Sequence, residues 1–200
     1  KLLNTKQISI KNNNKGSCYV IKCDVSKETD VKKMFLLIHK HHGRLDLLFN
    51  NAGIGLGANT IDNIKFKDWK KVIDTNINGM FLCAKYAYQL MKKQRPKGGR
   101  IINNGSISAF TPRPGTAAYT TSKHAITGLT KSIALDGRED NILCSQIDIG
   151  NAETAITKSF KKGVIQPNGS ILKEATMKAE DVAKSVITIF NLPLDTNILN

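Results

Sequence analysis

Apolar and polar positions alternate between two rhythms along the chain. Short, nearly continuous apolar runs fall at "CYVIKCDV" (18–25), "LDLLFNN" (45–51), "GRIINNGS" (99–106) and "NILCSQIDIG" (141–150). Between them lie longer segments with apolar residues three and four apart: 29–43, 66–94, 117–138 and 179–193. The first pattern predicts strands buried on both faces, and the second predicts amphipathic helices. Gly43 marks the stop of the first helix, and Pro96 follows the end of the second. Strands alternating with helices predict βαβ units, a parallel sheet and an α/β fold. No internal repeat or interdomain linker interrupts the pattern, so the 200 residues read as one domain.

A glycine cluster raises the question of phosphate binding. Gly53, Gly55, Gly57 and Ala58 fit the loose spacing of a dinucleotide fingerprint, but such a fingerprint must open a helix. Here "ANTIDNIKF" follows, a polar loop, and helical periodicity begins only near Lys65. The acidic residue sought about 20 positions on is Asp74, which falls inside a helix rather than at a strand end. The sequence therefore predicts a loop at a strand's C-terminal end.

Charge changes the picture little. The net charge of +14 is spread over the chain, in pairs such as Lys32-Lys33, Lys92-Lys93 and Lys161-Lys162, and no nucleic-acid-binding motif accompanies it. No apolar run is long enough for a membrane span, and no leader pattern opens the chain, which points to the cytoplasm. Cys18, Cys23, Cys83 and Cys144 form no C-x-x-C pair and read as reduced thiols. His39, His41 and His42 occupy a helix's last turn, where cations are favourable, so no metal site is expected. Trp69, Tyr86 and Tyr88 read as packing residues.

Chemistry concentrates elsewhere. "NNAG" (50–53) ends one strand, Asn76 sits in "DTNING", and Ser106 ends the next strand in "IINNGSIS". "YTTSK" then places Tyr119 and Lys123 four apart, on one helix face. A free phenol titrates near 10 and a nearby ammonium favours its ionised form, so the pair suits proton exchange. His124 points off that face.

In this order and spacing, these elements resemble the short-chain dehydrogenase/reductase family over nearly the whole chain. The resemblance implies a Rossmann-like, doubly wound parallel sheet with helices on both faces. It implies an enzyme that interconverts a carbonyl and an alcohol with NAD or NADP. Tyr119 would be the general acid/base, Lys123 would also hold the nicotinamide ribose, Ser106 would orient the substrate carbonyl, and Asn76 would hold a water in the proton relay. Asp24, Val25, Asn51, Ala52, Gly53, Tyr119, Lys123, Ala152 and Thr154 would contact the cofactor. Residues 151–176 would form the substrate lid, and the helices 66–94 and 117–138 would pair between subunits in a homodimer or homotetramer. A small carbonyl or alcohol is the expected substrate, with neither nucleic acid nor membrane as a partner.

Two departures from the family pattern stand out. The opening strand, the T-G-x-x-x-G-x-G turn, its helix and a second strand find no counterpart, and Lys1–Asn14 resembles the helix after them. "NILN" falls within the family's last strand. The expectation is a fragment of a longer enzyme that aggregates or binds the cofactor poorly by itself. The second departure is Ile149-Gly150, where the family has Pro-Gly. A non-catalytic scaffold and a basic nucleic-acid binder are the competing readings, and the latter would lose affinity steeply with salt.

Overall fold

The computed structural model describes residues 18–154 and 163–200. Three strands form the central sheet: β1 (Leu47–Asn50), β2 (Gly99–Asn104) and β3 (Ile142–Ile147), in spatial order β1-β2-β3. All pairing in it is parallel, with Leu48 opposite Ile101 and Ile101 opposite Cys144. The helices are α1 (Glu28–His42), α2 (Phe66–Ile73), α3 (Gly79–Lys93), α4 (Ala117–Asp136) and α5 (Ala179–Phe190). The chain has an α/β fold of the doubly wound type, as expected.

Strand alternation divides the interior into two cores. On one face, Ile101, Ile142 and Cys144 pack with Val31 and Phe35 of α1 and with Cys83, Ala84, Ala87 and Met91 of α3. On the other face, Ile102 packs with Val186 and Ile189 of α5, flanked by Leu47, Phe49 and Ile147. Each strand sends residues to both cores, most deeply from β2, which is why the strands read as unbroken apolar runs. Gly43 ends α1 in the left-handed region (φ 71°), its N–H donating to the His39 carbonyl. At the end of α3, the Gln94 side chain exchanges hydrogen bonds with the backbone of Leu45, tying the helix to the approach of β1.

Several expectations need correction. Residues 18–24 form no strand: a strand exists only through its ladder, and no described segment pairs with this one. Tyr19 is exposed there, while Cys23 and Val25 still pack against the first core. The single helix over 66–94 is one run of helical backbone with a π-helical turn at Asp74–Asn78. The segment 194–200 runs beside β3, Leu199 accepting from the Gln146 N–H, without forming a strand. Within 151–176 the polar stretch carries a small antiparallel hairpin, β4 (Val164–Ile165) and β5 (Ile171–Leu172). The expected helix over Lys1–Asn14 lies outside the described residues, as does part of the lid.

Candidate active site

The parallel strands end on one side of the sheet, where an open α/β sheet offers a crevice. Ser106 follows β2 by two residues and is buried at 6% exposure. It caps the short 3-10 turn at Ile107–Ala109, its Oγ accepting from the Ser108 N–H at 3.1 Å. Tyr119 comes from the first turn of α4 and Lys123 from the second, one above the other as the i, i+4 spacing requires. The Lys123 Nζ lies 5.5 Å from the centre of the Tyr119 ring and donates to the Asn104 carbonyl at 2.7 Å. Lys123 is only 4% exposed.

Burial governs the electrostatics of this pair. Loss of hydration pushes the Tyr119 phenol above its ordinary value, with the Ser106 hydroxyl and the Arg113 charge opposing. The sequence suggested a lowered phenol; the enclosing walls outweigh the nearby charges. Burial also pulls the Lys123 ammonium down to about 8, and Asp148 opposes that fall. Burial therefore drives the two groups apart, the phenol upward and the ammonium down to about 8, and makes the lysine the more acidic of the pair.

Asn76 stands at the π-helical turn, 1% exposed. Such turns displace one residue from the helical ladder and recur at functional sites. Its Oδ1 accepts from the Ile54 N–H at 2.8 Å, and its Nδ2 donates to the Ile54 carbonyl at 2.9 Å and to the Ser122 Oγ at 3.0 Å. Ser122 in turn donates to the Tyr119 carbonyl at 2.7 Å. Asn76 thereby fastens the glycine-bearing loop after β1 to α4. The structure agrees with the reading of that loop: Gly53, Gly55 and Gly57 precede irregular backbone and open no helix directly.

Of the expected cofactor contacts, Asn51, Ala52 and Gly53 follow β1 and Ala152 and Thr154 follow β3, whereas Asp24 and Val25 precede α1. Asn51 accepts from the Asn104 Nδ2 at 2.6 Å, linking the ends of β1 and β2. Ala52 is exposed, and Gly53 faces Asn76. Ala152 bridges to Met177, placing it and Thr154 at the start of the lid segment after β3. Asp24 accepts from the N–H and Oγ of Ser26 in the turn before α1. Val25 packs on Gly79, where an added Cβ would come within 2.7 Å of it, so its side chain serves the core.

A cleft of about 550 Å³ opens beside Ser106 and Tyr119, with Leu56, Ile107, Pro114 and Ile165 among its walls. Arg113 lines it and forms an ion pair with Glu174; Asn151 and Gln166 also donate to Glu174. This network fastens the β4–β5 hairpin to the loops after β2 and β3. Sequence reasoning passed over Arg113, Glu174 and Asp148. Asp148 had a visible signal, since it is a charged residue just past an apolar strand's C-terminal end.

The remaining candidates are placed elsewhere. His124 is exposed, its Nδ1 at 2.9 Å from the Thr120 carbonyl. His41 and His42 lie against the Tyr19 ring. Among the described residues no group of three or more His, Cys, Asp or Glu is placed to hold a metal. Burial pushes the thiols of Cys83 and Cys144 up to about 12, which leaves them inert at neutral pH. Tyr86 stacks on Phe35, and Tyr88 donates to Asp140, so both serve intramolecular packing. No helix among the described residues is long and apolar enough to cross a membrane.

Gly105 sits where the strand end meets this site. A Cβ there would lie 2.1 Å from the Asp148 Oδ1 and 2.8 Å from the Gln146 Nε2. Asp148 is pinned and has little room to yield. Gly105→Ala is expected to cost about 1–3 kcal/mol, the usual range for overpacking, read as a lower midpoint in thermal unfolding. An unchanged midpoint would mean that the strand end rearranges freely.

Residues 3–164 match the family model described as short chain dehydrogenase. The chain is 39% identical over 143 residues to a 3beta-hydroxysteroid dehydrogenase of Mediterraneibacter gnavus, covering 72% of this chain and 51% of that protein. It is 32% identical over 183 residues to a farnesol dehydrogenase of Aedes aegypti, covering 90% of this chain and 71% of that one. Its fold is similar to a solved structure described as ElxO with NADP bound, with a TM-score of 0.76, 29% identity, and coverage of 98% and 82% of the two chains. The chain belongs to the short-chain dehydrogenase/reductase family. It spans about half the length of the first of these relatives and under three quarters of the second.

Proposed function

We propose that the protein interconverts a carbonyl and an alcohol by hydride transfer with NAD or NADP. The observation that carries this reading is that Ser106 and Tyr119 line one cleft at the strands' C-terminal side, with the buried Lys123 ammonium 5.5 Å from the Tyr119 ring centre. The donor set suits a nicotinamide nucleotide: a buried ammonium beside a phenol, and the small residues Ala52 and Gly53 at the end of β1. Asp24, Val25, Asn51, Ala52, Gly53, Tyr119, Lys123, Ala152 and Thr154 would hold it, Val25 through its backbone. Such a cofactor, when bound, supplies or accepts the hydride.

The chain's own groups handle the proton and the orientation. Ser106 donates a hydrogen bond to the substrate oxygen and fixes its position. Tyr119 gives that oxygen a proton in reduction and takes one in oxidation. Lys123 holds positive charge beside the phenol, favouring its ionised form, and contacts the ribose. Asn76 completes the relay by holding a water. Residues 151–176 close over the substrate, with the Arg113–Glu174 pair as the latch among the described part. Apolar walls, together with an arginine already neutralised by Glu174, favour a neutral, lipophilic substrate. The names of the steroid and farnesol dehydrogenases support that class.

The test is reduction of a panel of neutral lipophilic ketones and short keto acids by the purified protein with NADH and with NADPH. Cofactor consumption that depends on a neutral ketone is expected. Absence of both turnover and saturable binding of either nucleotide would overturn the reading. Phe81 on α3 and Leu135 on α4 are exposed at 48% and 60%. We propose that these helices pair between copies in a homodimer or homotetramer. A species heavier than one chain is expected in sedimentation at micromolar concentration, and a monomer would count against it.

A further inference from the structure

Asp148 lies just past β3, and its carboxylate is held more firmly than a surface carboxylate is. Its Oδ1 accepts from the Ser106 N–H at 2.8 Å and from the Gln146 Nε2 at 2.8 Å, and its Oδ2 accepts from the same Nε2 at 3.0 Å. Gln146 is itself fixed: its Nε2 donates to the Thr127 Oγ1 at 3.1 Å, and its Oε1 accepts from the Thr130 Oγ1 at 3.3 Å. Thr130 accepts from the Asn103 Nδ2 at 3.0 Å. Gln146, Thr130 and Asn103 are 3%, 1% and 0% exposed. A chain of buried donors and acceptors thus runs from the middle of the sheet to this one carboxylate. Gly105, without a side chain, leaves the space the carboxylate fills.

Holding one backbone N–H needs only a neutral acceptor. A carboxylate adds negative charge, and the group placed to feel it is Lys123. The ammonium donates to the Asn104 carbonyl and lies 5.5 Å from the Tyr119 ring centre, and Asp148 accepts from the Ser106 N–H, two residues along the chain from that carbonyl. Arg113, the further charged group at the site, acts on Tyr119. Asp148 is the carboxylate held at the same strand end as the carbonyl that binds Lys123, without an ion-pair contact, and its charge opposes the fall of the ammonium.

We propose that Asp148 is a positioning residue of this site: its carboxylate fixes the backbone at Ser106 and supplies the counter-charge for the buried Lys123 ammonium. The proposal rests on the reading of Ser106, Tyr119 and Lys123 as the reacting set. It gives the site's one buried cation a fixed anion, which a buried charge requires to stay charged.

The test reads Lys123 directly in the protein without added nucleotide. Lysine labelled with 13C at Cε is titrated by NMR, and the Lys123 signal is assigned by its loss in Lys123→Arg. Asp148→Asn keeps the shape and removes the charge. It should move the Lys123 midpoint downward by on the order of one pH unit, the size of effect a single close charge exerts. Asp148→Ser, smaller and also neutral, should move it the same way. In turnover, the alkaline loss of activity should begin at lower pH in both variants. A midpoint unchanged in whichever variant keeps the wild-type circular dichroism overturns the proposal, and so does unfolding of both, since that would make Asp148 a determinant of the fold. Failure of the wild type to turn over any ketone would instead sink the proposed reaction, while the Lys123 titration would still decide the role of Asp148.

Discussion

Tyr119→Phe is expected to lower turnover by about two to four orders of magnitude, the range for losing a positioned acid/base group. The ring stays in its packed place, and only the hydroxyl that exchanges a proton with the substrate oxygen is removed. Nucleotide affinity should change little, because the ribose contact rests mainly on Lys123. His124→Ala should leave turnover near normal, since that imidazole is exposed and turned to the Thr120 carbonyl. Steady-state kinetics on the two variants separates the outcomes. Near-normal turnover in Tyr119→Phe, or its loss in His124→Ala, would remove the phenol from the mechanism.

Lys123→Met should separate stability from activity. The Lys123 ammonium titrates at about 8 in the fold, against an ordinary 10.5. Between those values the unfolded chain binds more protons than the folded one, so stability rises with pH across that window and the charged lysine costs the fold below it. The difference is worth roughly 3 kcal/mol at neutral pH, from about 1.4 kcal/mol per pH unit. Losing the hydrogen bond to the Asn104 carbonyl returns about 1 kcal/mol of that. A net gain of roughly 2 kcal/mol is expected, seen as a melting midpoint several degrees higher at pH 7, together with weakened nucleotide binding and turnover. The variant should also lose the wild type's rise in stability between pH 8 and 10. Tyr119, raised by burial, acts in the opposite direction only above its ordinary value near 10. A lower melting midpoint for Lys123→Met at pH 7 would contradict this account.

The parts of the fold legible in the sequence were those set by local pattern. Ile101 and Ile102 point to opposite cores, so β2 had to read as continuously apolar. Gly43 supplies a left-handed stop that almost no other residue adopts at low cost. Tyr119 and Lys123 were legible because helical spacing alone puts them together. What depended on distant partners was hidden. Residues 18–24 carry strand-like composition, yet pairing is a property of two segments and no described segment supplies the second. The π-helical turn carries Asn76, whose partner Ile54 lies 22 positions earlier, and nothing in "DTNING" announces that contact. Arg113 and Glu174 stand 61 residues apart and become a pair only once the hairpin folds back. The phenol's acidity was misjudged for the same reason: spacing shows a neighbouring charge but not the depth of burial.

The central position of β2 bears on the order in which the molecule opens. Its amides have a bonded neighbour on each side and a core on each face. Releasing them requires both cores to break, whereas α5 is held chiefly through Val186 and Ile189 against one face. Slow hydrogen exchange therefore belongs to β2 and early fraying to α5. Ser106 and the carbonyl that holds Lys123 lie at the end of that slowest strand. The reacting groups ride on the last part of the sheet to let go, so partial opening at the periphery leaves their alignment intact.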